Sequence, residues 1–330
     1  MLDTQNYLLL VRRRGEAGRE LSSVYRTMRR KELFLLAYST LYANTGATPP
    51  GRAAQDTIDG MALERIEVVI DQRAKGTYTW TPVRRTYIEK KHASKRRPLG
   101  IPGWNDKMVQ EVMRLMLERY YDPQFRDCSH GFRPKRGCHT ALQDVYRTWR
   151  GTKWFIELDI KGCVENISHP VLLEILPRKI NDDRFLKLLR NMLKAGDMEN
   201  WRYHNTYSGT PQGGNVSPVL ANSVLNELDI FVEDTLIPEY TAGTRRQGNP
   251  EYGRLNQMTF RAKKNGERKT YKDCLKKKKA LPSLLTHDPK YTRLRYVRYA
   301  DDSLLGWTGT HAEAEAIKDR IGQFLLDKLS

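Results

Sequence analysis

The stretch Leu294-Arg295-Tyr296-Val297-Arg298-Tyr299-Ala300-Asp301-Asp302-Ser303-Leu304-Leu305-Gly306-Trp307 decides the fold. Two runs rich in aromatic and branched residues flank Ala-Asp-Asp, the pattern of a β-hairpin with two carboxylates at its tip. Adjacent like charges repel, so a fold that aims both inward needs compensation. A hard cation such as Mg²⁺, which takes carboxylate oxygens together with substrate phosphates, supplies it. A solvated turn is the simpler reading of such a pair, and Asp182-Asp183 is read that way. The hairpin rises above that reading because Trp154-Phe155-Ile156-Glu157-Leu158-Asp159-Ile160 is a short apolar strand delivering a third carboxylate, Asp159. One Asp on a strand beside two on a hairpin makes a three-carboxylate cluster able to hold a pair of ions. Two metals about 3.5–4 Å apart clamp the attacking and leaving oxygens of an in-line phosphoryl transfer.

Composition narrows the partners. The 330 residues suffice for two domains and a real core. Against 39 Asp and Glu stand 57 Lys and Arg, a formal charge of +18. Such an excess points to a polyanion, nucleic acid before an anionic membrane. No apolar run approaches a membrane span, and Met1-Leu2-Asp3 lacks the basic-then-apolar opening of a secretory signal. The chain therefore reads as intracellular, in a bacterial cytoplasm or an organelle. Four cysteines without a Cys-x-x-Cys pair agree with a reducing compartment, and the spacing of Cys128, His130, Cys138 and His139 fits no common structural zinc site.

Working outward, residues 1–70 carry apolar positions at helical spacing, interrupted by a Pro- and Gly-rich turn at 42–51. Arg84–Ile88 and Arg96–Pro102 read as the two strands of a hairpin with a cationic turn at 90–95. Placed over a triphosphate, such a hairpin would neutralise its charge. Asn105 is expected to cap an amphipathic helix through Met108, Val112 and Met116, and a second helix follows through Ala141, Leu142, Val145 and Tyr146. Helices are expected over 171–196, and the paired glycines of Pro211-Gln212-Gly213-Gly214 permit close backbone approach to a substrate. Ser217-Pro218 opens a long helix. Between Leu236 and Arg298, 17 Lys and Arg face 5 Asp and Glu, a surplus of 12. There Lys263, Lys264, Lys276, Lys277, Lys278 and Lys279 are interleaved with Tyr252, Phe260 and Tyr271, a mixture suited to phosphate contact and base stacking. Thr310 and Glu313 form a capping box ahead of a final amphipathic helix.

The strings "RRPLGIP", "DIKGC…NI", "GTPQGGNVSP" and "YADD", in this order and spacing, resemble the reverse transcriptases encoded by group II introns, the intron maturases. The likeness runs from about Leu41 to the end. It implies an α+β, right-hand polymerase fold with fingers and a palm with an antiparallel sheet; family members continue into a thumb, and this chain is expected to carry none. Residues 1–152 would form an N-terminal extension and the fingers. Residues 153–330 would form the palm, interrupted by a finger-associated helical part at about 177–205 and the basic insertion at about 236–298. The implied activity is RNA-directed DNA synthesis. Asp159 and Asp301 would bridge two Mg²⁺ ions, Asp302 would support them, and the backbone of Ile160 would help hold the ion on the triphosphate. Arg97, with either Lys90 or Lys91, would meet the triphosphate; Gln212 would lie beside the nascent base pair, and Arg133 in a template-contacting loop. Val164 stands where the family has the Phe or Tyr that stacks under the sugar, and Glu165 where it has Asp. The implied partners are the parent intron RNA, an RNA template with a DNA primer, and deoxynucleoside triphosphates. Two other readings stay open: an RNA-binding splicing factor that keeps the fold without polymerising, and a bacterial reverse transcriptase of the retron or diversity-generating kind.

Overall fold

The helical periodicity of the first residues resolves into α1 (Thr4–Glu16), a two-residue strand β1 (Leu21–Ser22), α2 (Val24–Thr27), α3 (Lys31–Tyr42) and α4 (Leu63–Lys75). This is a computed structural model that describes residues 3–43, 56, 63–89, 96–160, 162–199, 202–206, 208–209, 214–286 and 288–329, with the backbone alone at Arg97, Val164 and Glu165. Most of the 42–51 turn thus lies outside the described residues, as do Lys90, Lys91 and Gln212. The basic hairpin is present as β2 (Val83–Ile88) and β3 (Arg97–Ile101), in antiparallel register from Arg84–Ile101 to Ile88–Arg97. α5 (Trp104–Tyr121) starts one residue before Asn105. Capping comes instead from Asp56, ahead of α4, which accepts from the Trp104 amide at 3.0 Å and pairs with Arg65. Asn105 accepts from Arg65 Nε at 2.7 Å.

Next come α6 (Cys138–Thr148), β4 (Trp154–Asp159), α7 (Cys163–Asn166), α8 (His169–Ile175), β5 (Ile180–Asn181) and α9 (Asp183–Leu193). Asp182 is not part of a solvated turn. It is the N-cap of α9, accepting from the Phe185 amide at 3.1 Å, and its second oxygen accepts from the Tyr25 amide at 2.8 Å. Two short strands that periodicity did not reveal, β6 (Asp197–Glu199) and β7 (Arg202–His204), extend the basic hairpin into a sheet of order β3-β2-β6-β7. Arg85 pairs with Asp197 at 3.2 Å across it.

α10 (Ser217–Phe231) continues through a π turn at Val232–Leu236 into α11 (Ile237–Tyr240). Pro238, which has no N–H to give the preceding turn, sits at the change of winding. α12 (Pro250–Lys264) and α13 (Arg268–Lys279) follow and pack mainly against each other, an antiparallel pair set off from the body. The opening hairpin motif is β8 (Leu294–Tyr299) and β9 (Asp302–Trp307), so the basic insertion ends before Leu294 and Arg295 and Arg298 belong to the sheet. α14 (His311–Leu329) closes the described chain; its capping box is present, with Thr310 N donating to Glu313 Oε2 at 2.8 Å.

Two cores organise these elements. The larger joins α1, α3, α4 and α5 to α8, α9 and the first half of α10, with Trp104, Phe34, Met113 and Phe185 wholly buried. The smaller lies between the inner face of the β4-β9-β8 sheet and the helices α10 and α14, through Leu305, Trp307, Leu228, Val232, Ile317 and Ile321. Each buried Ile or Leu contributes about 1.5–3 kcal/mol, so this packing holds the hairpin firmly against α10. Among the described residues no helix is long and apolar enough to cross a membrane.

Candidate active site

β9 is the central strand of its sheet, and the ladder pairs Asp302 with Asp159 on one side and with Tyr299 on the other. Residues directly opposite in an antiparallel pair share a face. Asp159, Asp302 and Tyr299 therefore stand side by side at one end of the outer face. Alternation sends Ser303, Leu305 and Trp307 toward the helices and Asp302, Leu304 and Gly306 the other way. The far half of the outer face is covered by Ala141, Val145 and Trp149 against Val297 and Leu304. Gly306 allows this, because a Cβ there would lie 2.6 Å from the Trp149 ring. The acidic end stays open: Asp159 and Asp302 are exposed and Asp301 is half-buried.

Only Ala300 and Asp301 connect the two strands, and Ala300 takes φ 57, a left-handed position that usually calls for glycine. The turn is held from behind. Ala300 O accepts from Arg298 Nη1 at 2.7 Å. Gly131 lies against the turn so closely that a Cβ there would sit 2.2 Å from the Ala300 amide nitrogen. The segment carrying Gly131 pairs with β8 as a short parallel bridge: Arg298 N donates to Cys128 O and His130 N to Arg298 O, each at 2.8 Å.

Arg298 is completely buried. Its Nε and Nη2 form a two-pronged pair with Asp229 at 2.8 and 2.6 Å, and its remaining N–H groups reach Asn222 Oδ1 at 3.0 Å, Ser129 Oγ at 2.8 Å and Ala300 O. Tyr296 donates to Asp229 as well, at 2.9 Å. Burial alone would lower the pKa of Arg298; the bonds to Asp229 outweigh it, and the net shift is upward.

Asp302 is held above the ordinary carboxylate range by burial and then by the charges of Asp301 and Asp159. Burial and the Asp301 carboxylate push the Cys163 thiol up to about 11. Mutually repelling hard-oxygen donors on one open face fit a hard divalent cation. Among the described residues no three acidic, His or Cys side chains gather closely enough to cage a metal unaided. Mg²⁺ rarely asks for such a cage, since one or two carboxylates commonly act with waters and substrate phosphates.

A family model for reverse transcriptase (RNA-dependent DNA polymerase) matches residues 88–242. Group II intron-encoded protein LtrA of Lactococcus lactis subsp. cremoris is 44% identical over 313 residues, 93% of this chain and 52% of its own length. Residues 88–242 thus match the reverse transcriptase family, and over nearly its whole length the chain is similar to a group II intron-encoded protein. An uncharacterized 91 kDa protein in the cob intron of Schizosaccharomyces pombe is 38% identical over 296 residues, 89% of this chain and 36% of that protein. The putative COX1/OXI3 intron 1 protein of Saccharomyces cerevisiae is 35% identical over 300 residues, 90% and 35%. The chain thus spans about half the length of the bacterial relative and about a third of the fungal ones.

The reverse transcriptase match takes in Asp159 and ends at Ala242, within the first residues of the basic insertion; Asp301 and Asp302 lie beyond it and join Asp159 only through the sheet. Ile160 O accepts from the Cys163 amide at 3.1 Å, leaving a second lone pair for a ligand. Arg97 opens β3 and Val164 lies in α7. The flanks of the Gln212 loop are anchored, with Gly209 N donating to Ile167 O at 2.8 Å and Ser217 N to Gly214 O at 3.1 Å. Arg133 is a correction. Only 5% of its side chain is exposed, and its guanidinium binds Asp122, the carbonyls of Arg126 and Ser129, and the Asp122 carbonyl. It fixes the loop that carries Gly131, with its guanidinium turned into the protein. Lys263, Lys264, Lys276, Lys277 and Lys279 are exposed on the α12–α13 pair. Lys278 is turned inward, donating to Asn256 at 2.6 Å above the Tyr252 ring. Near Arg133, Cys128 is buried and His130 contacts Thr140 at 2.8 Å.

Sequence reasoning missed Arg298, Asp229, Asn222 and Gly131. A signal was present for the first: strand alternation puts Arg298 on the face of Leu294 and Tyr296, and a charge facing a core demands a buried partner. Asn222 and Asp229, seven residues apart on one face of a long helix, answer that demand.

Proposed function

We propose that this chain is the nucleotidyl-transfer part of a group II intron reverse transcriptase, extending a DNA primer on an RNA template. The β4-β9-β8 sheet would be the palm, and the β2–β3 hairpin with the N-terminal helices the fingers, dividing near residue 152. The observation that carries this reading is Asp159 facing Asp302 across the ladder, with Asp301 in the adjoining turn. Two Mg²⁺ ions, held by Asp159, Asp301 and Asp302 with the Ile160 carbonyl, would supply acidity at the primer 3′-hydroxyl and neutralise charge on the departing pyrophosphate. The chain's own residues do the rest. The sheet fixes the carboxylates on one rigid face, the β2–β3 hairpin brings Arg97 toward the triphosphate, and the Cys163–Asn166 turn lies below the sugar. The exposed lysines of α12 and α13 would bind RNA, the parent intron among its sources, in keeping with maturase action.

The test is primer extension on an RNA template with each deoxynucleotide, with and without Mg²⁺. Template-directed, Mg²⁺-dependent incorporation supports the reading. RNA binding without any incorporation would leave a splicing factor in its place.

A further inference from the structure

The catalytic turn is set from behind by a buried ion pair that meets no substrate. Among the acceptors of Arg298, Asp229 and Asn222 come from α10, Ser129 from the segment beside β8, and Ala300 O from the turn itself. One side chain therefore ties two other pieces of chain, α10 and the Ser129 segment, to the turn that joins the catalytic strands. Stability alone does not explain it. Removing both charges from water costs about as much as their attraction returns, and apolar residues of the same shape would hold a core equally well. What apolar residues cannot do is hold a carbonyl. Ala300 has a left-handed backbone that costs a non-glycine residue energy and persists only where neighbours enforce it.

We propose that Arg298, oriented by Asp229, is a positioning residue for nucleotidyl transfer: by binding the Ala300 carbonyl it fixes the direction in which Asp301 and Asp302 present their carboxylates. This rests on the reading of Asp159, Asp301 and Asp302 as the metal-holding set. Arg298 touches no reacting atom and acts through the turn alone.

The experiment uses the full chain with the buried polar cluster replaced together, as Asp229→Leu, Tyr296→Phe and Arg298→Met. This leaves neither a lone charge nor the Tyr296 hydroxyl beside an apolar residue. Thermal stability should fall only by the cost of the acceptors freed on Asn222, Ser129 and Ala300. Hydrogen exchange of the 299–303 stretch in metal-free protein should quicken by about tenfold or more. kcat should fall about 10–100-fold, as for residues that orient metal ligands, with KM for the deoxynucleotide little changed. A stable triple variant with parental exchange and parental kcat overturns the proposal. Should the triple variant fail to fold, Arg298→Lys carries the test, since it keeps the charge on Asp229 but loses the planar fork. Parental exchange and kcat in that variant overturn the proposal equally. Asp301→Asn separates the two possible failures. If it keeps its activity, the metal reading falls and this inference with it. If it loses activity while the Arg298 variants keep theirs, only this inference falls.

Discussion

Replacing Gly131 with Ala tests the turn from the side opposite the carboxylates. The added Cβ would lie 2.2 Å from the Ala300 nitrogen and 2.8 and 2.9 Å from its Cα and Cβ, all short of the 3.4 Å at which ordinary contact begins. Two of those atoms are backbone, so no flexible side chain can swing aside. Reaching 3.4 Å from 2.2 Å requires a parting of at least about 1.2 Å between the Gly131 segment and the turn. The segment is held by the bonds of Arg133 and by Asn222, which donates to Gly131 O at 2.9 Å. The turn, joined to its sheet at one end only, is the part expected to yield. A misplacement of about 1 Å costs about 100-fold in rate, or about 2.7 kcal/mol of barrier. The assay is incorporation of one deoxynucleotide at saturating template–primer and nucleotide, with RNA affinity and thermal stability measured alongside. The expected result is a rate down about 100-fold with RNA affinity unchanged. A folded Gly131→Ala variant that incorporates at the parental rate would refute the claim that the turn's position governs the chemistry.

Replacing Lys276, Lys277, Lys278 and Lys279 with Gln should flatten the slope of log affinity against log salt for RNA by about 3 units rather than 4, because Lys278 is engaged within the helix pair; an unchanged slope would place the RNA elsewhere. Val164→Phe should sharpen the preference for deoxy- over ribonucleotides by about 10–200-fold, the scale of a small steric mismatch in a pocket. That change is read as the ratio of kcat/KM for the two nucleotides, and equal ratios in the two proteins would remove Val164 from beneath the sugar. Asp182→Ala, which loses the cap on Phe185 and the bond to the Tyr25 amide, should cost about 1–2 kcal/mol in urea unfolding. A stability equal to the parent's would show the cap to be idle.

The strands that carry the chemistry were legible because each is a short run rich in apolar and aromatic residues that leads into an Asp. Their register was not. Whether Asp159 faces Asp301 or Asp302 depends on a two-residue turn with Ala300 in a left-handed conformation, and an Ala there gives no hint of it. The arginines misled for the same reason: a guanidinium reads as an RNA contact wherever it falls in a basic chain. Burial decides otherwise for Arg133 and Arg298, whose acceptors come from Asp122, Ser129, Asn222 and Asp229 at separations that periodicity does not reach. Likewise, β6 and β7 are three residues each, too short for alternation to be read, and pairing of β6 with β2 and of β7 with β6 rather than their own propensity makes them strands.

The most direct test of the central claim is Asp301→Asn, which removes one charge from the carboxylate set and leaves its shape. Incorporation of a single deoxynucleotide and affinity for the RNA template should be measured on the same preparation. The account predicts incorporation down by at least about 100-fold, with affinity nearly that of the parent because binding is spread over Lys and Arg. Near-parental incorporation by Asp301→Asn would contradict it.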